Sequence, residues 1–190
     1  MKFEVFEFES TWLVKSEIHQ DSRGSFRETF RRDLFLHFSQ LDFNPVQVNS
    51  SVSKKGVLRG IHYSVSEAGQ AKWISCLRGE IEDYVIDLRL NSPTFGKWKS
   101  ITLSANNGFS LIIPTGFGHA FEARTDDCLV SYALSSTYDP KSEMTISPND
   151  PTIAVTWVHS TPEMSERDKF APFLSEQVLS GNMPSDNLAL

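Results

Sequence analysis

The chain has 190 residues, of which 39% are hydrophobic and 22% are charged, with a formal net charge of -6 at pH 7. This size and balance predict one soluble domain, spanning residues 1–190, with a substantial core. They give no electrostatic reason to expect nucleic-acid binding, because phosphate neutralisation requires clustered lysines and arginines.

The first quarter of the chain contains two short strand-like stretches and a helix. Phe3, Val5 and Phe6 begin one stretch, and residues 12–14 begin the second. Residues 31–41 have helical spacing, with apolar side chains among charged neighbours. This spacing predicts a short helix.

Strands dominate the rest of the chain. They are predicted over 45–52, 57–65, 72–78, 80–90, 98–104, 109–113, 119–123 and 128–136, with turns at Gly79 and within 89–96. This density of short strands favours a sandwich or barrel over alternating βαβ units. We expect an all-β, cupin-type jelly roll with short peripheral helices. Residues 165 to about 181 are expected to form one helix, followed by a loose tail to residue 190.

Neither export nor membrane insertion is indicated. The N-terminus is acidic and lacks the apolar core of a signal peptide, and no apolar run approaches the length of a membrane span. Cys76 and Cys128 lie far apart and form no CxxC pair, so neither a disulfide framework nor a zinc site is expected. We therefore expect a cytoplasmic protein.

Residues 56–63 (GVLRGIHY) carry an arginine and a histidine three positions apart. On a regular strand, Arg59 and His62 would point to opposite faces. Gly60 lies between them and permits a bulge that turns both toward one pocket. For an isolated pair, a surface arginine and a half-buried structural histidine would be the simpler interpretation.

A polar pair lies on the preceding strand. Gln47 and Asn49 alternate with Val46 and Val48, so the strand has one polar and one apolar face. Amides that face a concave pocket commonly fix the orientation of a ligand. A solvent-exposed sheet face explains the same alternation equally well.

Further motifs follow in order along most of the chain, from about Asp21 to Phe173. They are DSRG at 21–24 with Phe26 and Glu28, GVLRGIHY, Lys72, SPTFG at 92–96, PTGFGH at 114–119, Tyr132, Tyr138 and SERD at 165–168. Together they resemble the dTDP-4-dehydrorhamnose 3,5-epimerase family. The resemblance implies a homodimer that uses no metal or other cofactor. It also implies inversion of C3, C5 or both in a dTDP-4-keto-6-deoxyhexose, in deoxysugar biosynthesis.

The resemblance also implies four catalytic residues. His62 is expected to be the general base, held by Asp168. Tyr132 is expected to be the acid on the opposite face of the sugar, and Lys72 to stabilise the enolate. A proton beside a ketone is only weakly acidic, so its removal requires a positioned base and stabilisation of charge on the enolate oxygen. Inversion then requires a proton from the other face, which a phenol can supply.

A further set of residues is expected, on the same resemblance, to bind the substrate. They are Gln47, Asn49, Arg59, His119, Glu143 and Arg167, with Tyr138 stacked on the thymine. Arg23 and Glu28 are expected to reach into the site of the partner subunit. Arg167 stands where lysine is common in the family, which keeps the charge but changes its geometry.

Each catalytic residue also has a structural alternative. Asp168 lies three residues after Ser165 and could merely complete a helix start. Tyr132 lies in an apolar strand and could be a core residue, and Lys72 could be a solvated charge on an edge strand. The order of the motifs favours the catalytic roles. Asp83, inside an apolar strand, is expected to partner a pocket histidine.

Two other function classes fit parts of the sequence. A metal-dependent cupin such as a dioxygenase needs a His-x-His pair, but His62 is followed by Tyr63 and Ser64. A silent cupin that only binds a sugar nucleotide would lack the base or the acid, and both are present. The stretch 131–136 (SYALSS) is more similar to epimerases of amino- and branched deoxysugar pathways, so the regiochemistry stays open.

Overall fold

The structure is a computed structural model that describes residues 1–8 and 10–190. Its strands are β1 (Lys2–Val5), β2 (Trp12–Lys15), β3 (His19–Asp21), β4 (Gly24–Phe26), β5 (Gln47–Ser53), β6 (Leu58–Ser64), β7 (Lys72–Arg78), β8 (Glu80–Asp87), β9 (Trp98–Ser104), β10 (Phe109–Ile113), β11 (Phe117–Ala123), β12 (Cys128–Leu134) and β13 (Glu143–Thr145). Its helices are α1 (Arg32–Ser39), α2 (Glu166–Lys169) and α3 (Leu174–Leu179). The all-β prediction is confirmed.

Two antiparallel sheets form the body of the fold. One has the strand order β1-β2-β10-β7-β12-β5, and the other has the order β13-β6-β11-β8-β9. Most neighbouring strands are distant in sequence, because the chain crosses repeatedly between the sheets, as in a jelly roll. Strands β3 and β4 form a separate hairpin whose residues are all exposed.

Apolar side chains from both sheets pack into a core between them. Ile74 and Val130 come from the first sheet, and Val85 and Phe121 come from the second. The outer face of the first sheet is covered by a second cluster that includes α1. A third cluster covers the outer face of the second sheet beneath α3. Successive side chains of a strand point to opposite faces, so the strands bury apolar residues on both faces of each sheet. The polar residues that remain at one end of the space between the sheets are available to line a cavity.

The predicted strands between residues 45 and 136 are all present, and the predicted helix is α1. The single C-terminal helix was wrong, because α2 and α3 are separate. Pro172 lies between them; it cannot donate a backbone hydrogen bond and disfavours the helical conformation at the residue before it. In the described part of the chain, no helix is long and apolar enough to cross a membrane.

Candidate active site

A cavity of about 420 Å³ opens between the two sheets. Nine residues singled out in the sequence line it: Gln47, Asn49, Arg59, His62, Lys72, His119, Tyr132, Tyr138 and Glu143. Ser51, Gln70, Phe121 and Leu134 also line it, although the sequence analysis did not select them. The fold therefore gathers residues from six strands and two loops at one site.

The imidazole of His62 is held from behind the cavity by Asp168. Nε2 of His62 lies 2.8 Å from Oδ1 of Asp168, whose side chain is only 4% exposed. Burial alone would raise the pKa of Asp168, but hydrogen bonds from His62 and Ser165 and the charge of His62 hold that pKa below its usual value. The ionised carboxylate therefore holds the Nε2–H group, which leaves the lone pair of Nδ1 to act as a base.

Ser165 caps the helix that carries Asp168. Its hydroxyl oxygen accepts a hydrogen bond from the Asp168 backbone N–H at 3.1 Å, as expected of a helix N-cap. The cap uses the backbone of Asp168, and the contact with His62 uses its side chain. The helix-start role and the pairing with histidine are thus compatible.

Strand β6 bulges between Arg59 and His62, which brings both side chains to the cavity. On β11, Phe121 pairs with Arg59. Two residues earlier, His119 pairs with His62, so three steps along β6 match two steps along β11. Gly60 has a φ of +127°, and a Cβ there would lie 2.7 Å from the His119 carbonyl oxygen. The predicted bulge at Gly60 is confirmed.

The amine of Lys72 lies beside the backbone of the proposed base. Its Nζ donates to the His62 carbonyl oxygen at 3.4 Å. Burial lowers the pKa of Lys72 to about 8, against the opposing effect of the carboxylates of Glu143 and Asp83. The lysine is therefore a cation at neutral pH that loses its charge under mildly alkaline conditions.

A second histidine–carboxylate pair lies next to the first. Nε2 of His119 is 2.9 Å from Oδ2 of Asp83, and the Asp83 side chain is fully buried. Burial raises the pKa of Asp83, although His119 opposes the shift. The expectation that Asp83 partners a pocket histidine is confirmed. Within residues 1–8 and 10–190, no group of three or more His, Cys, Asp or Glu side chains is placed to hold a metal ion.

Tyr132 belongs to the sheet opposite the one that carries His62. Its neighbours in the sheet are Asn49 on β5 and Ile74 on β7. The side chain lines the cavity and packs against the core between the sheets. The cavity is therefore bounded by the imidazole on one side and by the phenol on the other.

The polar face of β5 faces the cavity, which decides between the two interpretations of its alternation. Gln47, Asn49 and Ser51 all line the cavity. Nε2 of Gln47 donates to Oδ1 of Asn49 at 2.9 Å, and its Oε1 accepts from the Tyr138 backbone N–H at 2.8 Å. The pair of amides thus also fixes the loop that presents the Tyr138 ring, which is half exposed.

Three predicted binding residues lie outside the lining of this cavity. Arg167 lies on α2 and forms an ion pair with Glu143 at 2.8 Å. Arg23 lies in the exposed turn between β3 and β4, and its side chain is 88% exposed. Glu28 follows that hairpin and is itself half exposed. Within one subunit, these last two are therefore separate from the cavity.

Comparisons with known proteins found a matching family model and several relatives. A family model described as dTDP-4-dehydrorhamnose 3,5-epimerase matches residues 6–176. A dTDP-4-dehydrorhamnose 3,5-epimerase of Mycobacterium tuberculosis is 37% identical over 187 residues, which are 97% of this chain and 93% of the relative. A solved 4-keto-6-deoxy sugar epimerase from the novobiocin biosynthetic gene cluster of Streptomyces spheroides has a TM-score of 0.94 and 36% identity, covering 97% of this chain and 93% of that one. A 3'-monoepimerase from Streptomyces bikiniensis, solved in complex with dTDP-quinovose, has a TM-score of 0.90 and 38% identity, covering 95% and 92%.

Proposed function

Because the chain belongs to the dTDP-4-dehydrorhamnose 3,5-epimerase family, we propose that it epimerises a dTDP-4-keto-6-deoxyhexose at C3, C5 or both, in deoxysugar biosynthesis. One observation carries the proposal: His62, which is paired with Asp168, and Tyr132 line one cavity from opposite sheets. The dTDP-quinovose complex of the relative from Streptomyces bikiniensis supports a dTDP-sugar as ligand.

The reaction starts with removal of the proton beside the ketone. Nδ1 of His62 takes this proton. The electron pair of the broken C–H bond moves toward the carbonyl oxygen and forms the enolate. Asp168 stabilises the imidazolium that results, because its carboxylate is ionised and within hydrogen-bond distance. The base needs no cofactor to reach this state.

Lys72 stabilises the enolate. Its ammonium group favours the negatively charged oxygen of the enolate over the neutral ketone, so it lowers the barrier rather than only binding substrate. The burial that lowers the pKa of Lys72 to about 8 also strengthens this interaction, since a charge acts more strongly where water is excluded.

Tyr132 completes the inversion. Its phenol donates a proton to the enolate carbon from the face opposite His62, and the phenolate and the imidazolium then exchange protons with water. No atom is gained or lost overall, as an epimerisation requires.

The remaining polar residues of the cavity are proposed to bind the substrate. They are Gln47, Asn49, Arg59, His119 and Glu143, with Tyr138 stacked on the base. Nε of Arg59 donates to Oγ of Ser53 at 3.0 Å, which holds its guanidinium group beside the cavity. A guanidinium group is well suited to a diphosphate.

We also propose a homodimer in which each subunit completes the other's site. The β3–β4 hairpin is exposed throughout, and its Phe26 offers a partner subunit a large apolar side chain that is 66% exposed. Arg23 and Glu28 on and after this hairpin would reach the nucleotide held by the partner subunit. The exposed charge of Arg23 suits a phosphate ligand.

The function is tested with dTDP-4-keto-6-deoxyglucose in heavy water, followed by NMR. An epimerase incorporates deuterium at the carbons beside the ketone and yields inverted product. A cupin that only binds sugar nucleotides would bind thymidine diphosphate yet incorporate no deuterium above the uncatalysed rate, and that result would reject the proposed function.

A further inference from the structure

The guanidinium group of Arg167 links two elements that both contact His62. Its Nη1 donates to Oε1 of Glu143 at 2.8 Å, and its Nη2 donates to the backbone carbonyl oxygen of Glu143 at 3.1 Å. Arg167 precedes Asp168 on α2, the helix that supplies the carboxylate. Glu143 begins β13, and that strand pairs with β6 so that Thr145 lies opposite His62. The two hydrogen bonds therefore connect the helix to the strand beside the imidazole.

Helix α2 is a single turn, Glu166–Lys169, and Asp168 is its one buried residue among those described. A helix of a single turn is not stable by itself, so its orientation depends on tertiary contacts. The backbone of Glu163, just before the helix, is hydrogen-bonded to the chain at the start of β6. Lys169 pairs with Glu166 within the helix and does not connect it to the sheet. From the helix itself, the side chains of Arg167 and Asp168 bond to the residues around the cavity.

We propose that Arg167 is a positioning residue, which aligns Asp168 with His62 by holding α2 against Glu143. This inference rests on the proposed function, and it differs from the substrate contact that the family resemblance implies for Arg167. The planar guanidinium group donates to the carboxylate and the carbonyl of Glu143 at once, whereas an ammonium group is a single compact charge.

The ion pair is suited to alignment more than to overall stability. The side chains of Arg167 and Glu143 are 45% and 23% exposed, and pairs that reach solvent contribute little to the free energy of unfolding. Loss of the pair should therefore change turnover more than melting temperature.

The test compares Arg167→Met, Arg167→Lys and the control Lys169→Met, which removes a positive charge from the same helix without touching β13. Arg167→Met should lower kcat about tenfold to a hundredfold, as small misplacements of catalytic groups do. The Kd for thymidine diphosphate should stay within about twofold of the wild-type value, because no substrate contact is lost. Arg167→Lys should recover part of kcat, and Lys169→Met should match the wild type.

The melting temperature separates alignment from a purely structural role. Because the ion pair reaches solvent, Arg167→Met and Lys169→Met should both melt close to the wild type. A fall in kcat confined to Arg167→Met would then report the alignment of Asp168, whereas a purely structural role would lower kcat and melting temperature together.

Three outcomes would overturn the inference in an active wild-type enzyme. One is a weaker Kd for thymidine diphosphate in Arg167→Met at unchanged kcat, which would make Arg167 a phosphate contact. The second is an unchanged kcat at an unchanged Kd in Arg167→Met. The third concerns the case in which circular dichroism shows that Arg167→Met does not fold. Arg167→Lys should then show a reduced kcat at an unchanged Kd. Full activity of Arg167→Lys would refute the alignment. An inactive wild type would instead reject the proposed function, and the inference with it.

Discussion

Oδ1 of Asp168 lies 2.8 Å from Nε2 of His62, although 106 residues separate the two in the sequence. The aspartate comes from a one-turn helix near the C-terminus, and the histidine comes from an inner strand of the second sheet. The carboxylate is buried, whereas the imidazole reaches the cavity. This contact fixes the orientation of the cavity histidine that we propose as the base.

Substitutions of His62 and of Asp168 should lower kcat to different extents. His62→Ala should abolish proton exchange at both carbons, since no other base is proposed. Asp168→Asn keeps the shape but removes the charge, and should lower kcat by about 10²–10⁴-fold, the range for a general base that loses its support. Rates of deuterium uptake for the two variants would check this order. Near-normal exchange in His62→Ala would assign the base to another residue.

Gly60 should be essential for the shape of the site rather than for its chemistry. A Cβ at this position would overlap Ala120 and lie 2.7 Å from the His119 carbonyl oxygen, at a φ of +127°. Gly60→Ala should therefore lower the free energy of unfolding by more than about 2 kcal/mol. It should also lower kcat, because Arg59 and His62 can no longer share one face.

The matched control for this prediction is Gly181→Ala. Gly181 also has a positive φ, of +69°, but a Cβ there would meet nothing within 4 Å. That variant should lose only about 1 kcal/mol, the cost of the left-handed conformation alone. Chemical denaturation measures both values, and equal losses would show that steric overlap at Gly60 is unimportant.

Lys72 should give the enzyme an alkaline limit. Its pKa is about 8, so the side chain is charged at lower pH and progressively neutral above that value. The charged form stabilises the enolate, and kcat should therefore fall as the pH rises through about 8. Lys72→Arg should reduce the maximum rate but remove this limb, because arginine stays charged throughout the range. An identical limb in both enzymes would exclude Lys72 as its origin.

The sharing of site residues between subunits can be tested by mixing two variants that are each inactive at low substrate concentration. In a mixed dimer of His62→Ala and Arg23→Ala subunits, one site lacks both residues and the other is complete. Random pairing should then restore about a quarter of wild-type activity at low substrate concentration. The control mixes His62→Ala with Tyr132→Phe, since both residues belong to the same subunit's cavity and no complete site can form. No recovery in the first mixture would refute the shared site.

The sequence predicted the strands well where an apolar alternation is bounded by turns, as in 72–78, 98–104 and 109–113. It did not predict the β3–β4 hairpin, because residues 19–26 are polar or exposed and bury no face. The break between α2 and α3 falls at Pro172, and the prediction of one continuous helix from residue 165 to about 181 did not take this proline into account.

The lining of the cavity was only partly predictable. Ser51 and Phe121 share the strand faces of Asn49 and His119, so extending the alternation by two residues would have found them. Gln70 lies in the loop before β7, where no periodicity indicates direction. Asp83 was identifiable because a charged residue in an apolar strand needs a buried partner. The partner itself, His119, lies on the neighbouring strand of the same sheet, and this strand pairing is not encoded by local patterns.

We propose that His62 and Tyr132 act on opposite faces of the same sugar ring. Position-resolved NMR of dTDP-4-keto-6-deoxyglucose in heavy water, with the wild type and with Tyr132→Phe, shows whether they do. The wild type should take up deuterium at C5, with or without C3, and form the inverted product. Tyr132→Phe should still exchange the C5 proton through His62 but without inversion, and any exchange at C3 should survive. Deuterium at C3 alone in the wild type, or inversion at C5 at the normal rate in Tyr132→Phe, would contradict the claim.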